Sequence, residues 1–266
     1  MRLLSIASGS SGNSIYVGSD NTHILVDAGI SNKRIESGLK CADLSGADIN
    51  AICITHEHAD HIKGLGVLAR KYEIPIYATK ETIRALKDDI TLGTFSHELF
   101  HEIKADADFD IGDIKVSPFH IYHDAVDPVG YRFESNGKSA AVATDMGHYD
   151  EYIVSKLSGT NTLLLESNHD VRMLETGSYP YYLKRRILSD NGHLSNENCG
   201  RLISQILHDD IVHIFLGHLS KENNYPDLAY EAVRCEILQS DCNYSPDDFF
   251  MEVARREEPS MIIDFN

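Results

Sequence analysis

Tryptophan is absent from the 266 residues, and the five cysteines (Cys41, Cys53, Cys199, Cys235 and Cys242) are odd in number with no Cys-x-x-Cys pair. That pattern excludes a disulfide framework and points to a reducing compartment, with the cytoplasm as the expected location. Long apolar runs are missing too. "TLLLE" (162–166) and "IVHIFLG" (211–217) are far too short to span a bilayer. The opening "MRLLSIASGSSGNS" turns polar before a secretory hydrophobic region can form, so neither a leader nor a membrane partner is expected. Positive charge is scarce: 24 Lys and Arg stand against 41 Asp and Glu, a formal net charge of −17 at pH 7. This excludes a basic coat that holds nucleic acid non-specifically. It leaves room for an enzyme that meets phosphates locally, where bound divalent cations change the charge.

No repeat, low-complexity tract or Pro/Gly/Ser linker divides the chain, and its length suits one large α/β domain over residues 1–266. Apolar runs predict strands near 2–7, 14–18, 22–27, 51–55, 75–78, 113–119, 129–134, 138–144, 161–166 and 211–216. Helical patterns fit 31–39, 61–71, 80–88, 148–157, 180–188, 195–207 and 226–238. Between two of the runs, "VGSDNTHI" (17–24) reads as a hairpin turn, and Ser195 of "SNEN" reads as a helix cap weaker than Ser-x-x-Glu. Strands with helices between them suggest two sheets covered by helices. "AICITH", "VSPFHIYH", "AAVATD", "TLLLES" and "HIFLGH" each run apolar and then reach His, Asp or Glu. Strand ends that deliver such side chains to one edge are how α/β enzymes assemble sites.

The sharpest feature is "THEHADHIKG" (55–64), which crowds His56, His58, Asp60 and His61 together. Neutral imidazole suits Zn, Mn and Fe, and a carboxylate can bridge two such ions. His56 and His58, one residue apart, can turn onto one ion, while Asp60 and His61 reach a second. The missing ligands are expected from His123 in "YHDAVDP", Asp145 in "ATDMG" and His218 in "LGHLS", with Asp145 as the bridge. The implied cofactor is a pair of divalent cations: Zn, Mn or Fe.

This constellation resembles the metallo-β-lactamase superfamily over nearly the whole chain, from "LVDAG" (25–29), with Asp27 beside rather than on a metal, to "LGHLS" (216–220). "SGSSGNS", "HDAVDPVGY", "ESNHD", "YPYYLKRRILSDNGHLSN" and "LGHLSKENN" together resemble its YycJ (WalJ) nuclease branch. The resemblance implies an αββα sandwich, two mixed β-sheets flanked by helices, with two metals at one edge. It also implies a phosphodiesterase that acts on DNA ends, an exonuclease working from the 5′ end through a metal-bridging hydroxide. Asp60 would orient that hydroxide. His193, in "NGHLSN", would contact phosphate or protonate the leaving group, against the plainer reading of a histidine beside a helix cap. His123 is favoured over His120 because it directly precedes Asp124 in the family-like "HDA" string, and His120 is expected to pack in or near the strand.

Substrate contacts are expected from Asn13 at the rim, from Asn168 and His169 beside the site, and from the basic cluster Lys184, Arg185 and Arg186. The plain alternatives are a turn for "SGSSGNS", bracing of a ligand for Asn168 and His169, and a solvated helix face for "LKRRI". The acidic stretch "KADADFDIGD" (104–113) lacks calcium-loop spacing and reads as a solvated turn. Competing functions are hydrolysis of a small or cyclic phosphodiester and a non-catalytic metal-binding regulatory role. Iron redox chemistry of the flavo-diiron kind is disfavoured, because His58 stands where those relatives carry Glu.

Overall fold

The computed structural model describes residues 1–265. Two seven-stranded sheets form its centre. The first contains β1 (Arg2–Ala7), β2 (Ser14–Gly18), β3 (His23–Val26), β4 (Ala51–Cys53), β5 (Ile76–Thr79) and β6 (Phe100–Ile103), with β14 (Ile263–Asp264) beside β1. The second runs β7 (Phe109–Ile111), β8 (Ile114–His120), β9 (Val129–Ser135), β10 (Lys138–Ala143), β11 (Thr162–Glu166), β12 (His213–Gly217) and β13 (Phe250–Val253). Both sheets are mixed on one plan. Antiparallel neighbours come first (β1–β2–β3 and β7–β8–β9–β10), followed by parallel ones (β3–β4–β5–β6 and β10–β11–β12–β13).

The period of two explains why the central strands are apolar throughout. Leu3, Val17, Ile24 and Cys53 face Val116, Tyr131, Phe133, Leu164 and Phe215 between the sheets. Their neighbours Leu4, Tyr16, Leu25 and Ile52 point outward onto helices Asn32–Leu39 and Leu65–Tyr72 through Ile35, Leu39, Leu65 and Leu68. In the second sheet, Leu163, Leu165 and Ile214 point outward onto helices Glu151–Leu157, Asn196–Ile206 and Pro226–Gln239. Each fully buried Leu or Phe contributes about 1.5–3 kcal/mol, so the three layers of contact hold the sandwich together. This is the αββα architecture that the resemblance implied.

The differences from expectation have local causes. The single helix expected over 61–71 is two, Ala59–Ile62 and Leu65–Tyr72. Gly64 separates them: its N–H donates to Ala28 O at 2.7 Å, and a Cβ there would lie 2.1 Å from Ile30 O. The stretch 104–113 is more than a solvated turn, because it contains β7, whose Ile111 is buried while Asp110 is exposed. β6, β13 and β14 and the helix Val171–Thr176 also escaped the sequence reading, since short edge elements carry half-polar patterns. Ser195 does cap its helix, accepting from Asn198 N at 3.2 Å. The hairpin at 17–24 closes β2 on β3, with Ser19 N donating to Thr22 O. Among the described residues no helix is long and apolar enough to cross a membrane.

Candidate metal centre

The parallel strands of both sheets end at one edge, and the chemistry-bearing residues follow those ends. Asp27 comes directly after β3, the His56–His61 segment after β4, Asp145 after β10 and His218 after β12, while Glu166 closes β11. Asp27, Asp145 and His218 have positive φ (61°, 61° and 54°). Left-handed backbone is costly for residues other than glycine and collects at functional sites, though Asp tolerates it better than most. Each such residue turns its chain sharply at the sheet edge.

All seven expected ligands converge. Four groups of side chains have ligand atoms within 4.8 Å of one another: His56 with His58 and His123, Asp60 with His61 and His218, His56 with His61 and Asp145, and Asp145 with Glu166, His193 and His218. Asp145 reaches both sides: Oδ2 lies 3.2 Å from His61 Nε2, and Oδ1 lies 3.2 Å from His218 Nε2 and 3.7 Å from His123 Nε2. His120 is exposed at the end of β8 rather than packed, outside the cluster.

Four of these imidazoles are tied by Nδ1 so that Nε2 faces the centre. His61 Nδ1 lies 2.7 Å from Asp27 Oδ2, His123 Nδ1 3.0 Å from Gly192 O, His218 Nδ1 3.2 Å from Asn13 Oδ1 and His56 Nδ1 3.0 Å from Thr55 Oγ1. Asp27 is itself fixed by Thr55, whose N–H and hydroxyl both donate to it at 2.8 Å. Such outer contacts set which nitrogen is free to ligate.

The donor set fits a cation. His56 Nε2 is buried with no hydrogen-bond partner, a loss of about 1–3 kcal/mol for an unsatisfied polar group unless something binds there. Burial, then His61, holds the His56 imidazole well below its ordinary value, and burial, then His123, lowers His58. Both therefore stay neutral, the form that ligates metal. At His61 burial also opposes the charge, but the carboxylates of Asp145, Asp27 and Asp60 outweigh it and raise its pKa well above ordinary. Buried carboxylates here demand a positive charge at their focus.

His193 stands beside the cluster, its ring 5.1 Å from His123 and 5.4 Å from His218. Its Nδ1 is 2.8 Å from Glu166 Oε1, which leaves Nε2 free. Burial lowers this imidazole, yet Glu166 and Asp145 prevail and push it up to about 9. Glu166 was missed as a site residue. It is fully buried and also accepts from Met146 N and Leu194 N. The strand-end pattern of "TLLLES" was the signal that could have found it.

The expected substrate contacts divide. Asn13 is fully buried instead of standing at the rim, because it accepts from Gly9 N at 2.9 Å and faces His218 and His61. Lys184 turns back to donate to Glu175 O and Gly177 O, capping the preceding helix, so it is not a free cation. Asn168 donates to His218 O at 2.9 Å and so braces that turn. His169 is buried beside it, and burial pushes its pKa down to about 4. Arg185 is exposed, and Arg186 pairs with Asp124, the neighbour of His123. A cleft of about 150 Å³ opens here, lined by Asp124, Asn168, Tyr179, Arg186, His193 and Ser220.

The family model described as "Beta-lactamase superfamily domain" matches residues 22–214. The chain belongs to the metallo-β-lactamase superfamily. It is 44% identical over 231 residues to a protein named exodeoxyribonuclease YycJ from Bacillus anthracis, covering 86% of each chain. It is 42% identical to exodeoxyribonuclease WalJ from Streptococcus pneumoniae, covering 91% of this chain and 90% of that one. These likenesses put it in the YycJ/WalJ branch of the metallo-β-lactamase superfamily, among metal-dependent hydrolases. The fold is shared with zinc-bound PqqB from Methylobacterium extorquens (TM-score 0.73, 16% identity, all of both chains). It is shared too with YhfI from Bacillus subtilis (TM-score 0.71, 14% identity, 97% and 98% of the chains).

Proposed function

We propose that this protein is a dinuclear metal-dependent phosphodiesterase that digests DNA as an exonuclease from the 5′ end. The observation that carries the reading is Asp145 standing between two histidine groups, within 3.7 Å of His61, His123 and His218. His56, His58 and His123 would hold one ion, Asp60, His61 and His218 the other, and Asp145 both. A pair of divalent ions, when bound there, would lower the pKa of water toward neutrality and neutralise phosphodiester oxygens. Asp60 would orient the attacking water and hold its proton. His193 presents Nε2 to the leaving oxygen, held in place by Glu166 through Nδ1. Arg186, paired with Asp124, and Asn168, bonded to His218 O, line the cleft wall, and phosphate and sugar would pass beside them. The names of the relatives support DNA as substrate, and the resemblance to their branch supports the 5′ direction. The free cysteines support a cytoplasmic setting, and residues 1–266 are read as one domain.

A second reading, a small or cyclic phosphodiester as substrate, is favoured by the small volume of the cleft, about 150 Å³. The two are separated by digestion of end-labelled DNA with Mn or Zn, beside bis(p-nitrophenyl) phosphate. Stepwise loss from the 5′ end, abolished in Asp60→Ala and reduced about 10²–10⁴-fold in His193→Ala, is the expected result. Hydrolysis of the small ester with DNA left intact would replace the exonuclease by the second reading.

A further inference from the structure

The helix Tyr181–Ile187 borders the cleft, and Leu183, Arg186 and Ile187 contribute to its wall together with Tyr179 and His193. Two large rings project from its outward side, and among the described residues they stay largely uncovered: Tyr181 and Tyr182 are each 75% exposed. On an α-helix, residues four apart lie one above the other, so Tyr181 sits over Arg185 and Tyr182 over Arg186. Arg185 is exposed and has no ion-pair or hydrogen-bond partner among the described residues. The helix sequence, "YYLKRRI", contains no acidic residue in a chain whose net charge is −17.

We infer that this ridge receives an unpaired nucleotide strand, with bases stacked on Tyr181 and Tyr182 and phosphates facing Arg185, while Arg186 stays paired with Asp124 at the cleft wall. The inference rests on the proposed nuclease function and names the form of its substrate: the strand being cut enters single-stranded. Three observations select this occupant. Exposed aromatic faces suit bases of any sequence, and the adjoining, unpaired Arg185 guanidinium suits a polyanion. Arg186 and Tyr179 also make the ridge continuous with the cleft that holds His193. A duplex, whose bases are already stacked on one another, offers such rings nothing until its end opens.

The test is fluorescence anisotropy of the metal-loaded protein with a labelled phosphorothioate single strand, an abasic strand of equal length and a blunt duplex. Native protein should hold the base-bearing strand about 10-fold or more tighter than the abasic one, the scale of base–aromatic stacking. Tyr181→Ala/Tyr182→Ala should abolish that preference with an unchanged melting temperature, and Tyr181→Phe/Tyr182→Phe should keep it. Equal binding of the base-bearing and abasic strands by native protein, or a preference that survives in the alanine variant, overturns the inference and leaves the ridge to a protein partner. A clear preference in a protein that digests no phosphodiester strand would instead sink the proposed function and leave the stacking surface standing.

Discussion

The two sheets share one plan but supply the site in opposite ways. From the first comes a single segment after β4 that carries His56 and His58 on a loop and Asp60 and His61 on the short helix Ala59–Ile62. The second supplies isolated residues after β8, β10 and β12, namely His123, Asp145 and His218, together with the Glu166–His193 pair. A continuous segment encodes its geometry in spacing. Dispersed residues depend on the sheet register to meet, so their positions are set by the fold and not by their neighbours in sequence.

The sharpest way to break this comparison is Asp145→Asn, which removes the charge both sides share while keeping a residue that tolerates left-handed backbone. Activity should fall about 10²–10³-fold, the scale of removing one preorganised electrostatic group. Elemental analysis should show both ions depleted. Retention of one ion at full occupancy would mean that Asp145 belongs to one side alone.

Next, Asp27→Asn and Glu166→Gln should separate the halves. Asp27 holds His61, so its amide variant should weaken metal affinity by about 10–100-fold, read by titration with a chelating dye. Glu166 holds His193, and Glu166→Gln should lower kcat at saturating metal with affinity nearly intact. Identical behaviour of the two variants would erase the distinction.

The smallest effect is expected at Lys184. Its amine donates to two helix-end carbonyls, so Lys184→Ala should cost about 1 kcal/mol, about 2–4 °C in Tm, and leave turnover within about twofold. A large loss of DNA affinity would return Lys184 to the substrate path.

The sequence made the His56–His61 segment and the fully apolar central strands legible because spacing and period express them directly. His123 was separable from His120 only through the family-like string around it. Glu166 went unrecognised because one buried acid at a strand end looks like any other until its partner, His193, is seen 2.8 Å away. Asn13 and Lys184 were misplaced for a related reason: a polar or basic side chain in a surface-like run gives no sign that it folds back onto the backbone or onto a ligand.

The left-handed turns at Asp27, Asp145 and His218 have a consequence for inheritance. Backbone of that hand admits Asn, Asp and Gly far more readily than Val, Ile or Leu. A descendant that abandons metal chemistry would still be held to this narrow alphabet at all three joints. Its vestigial site would then decay towards Asn and Gly, and the fold would preserve an outline of the lost centre after its chemistry had gone.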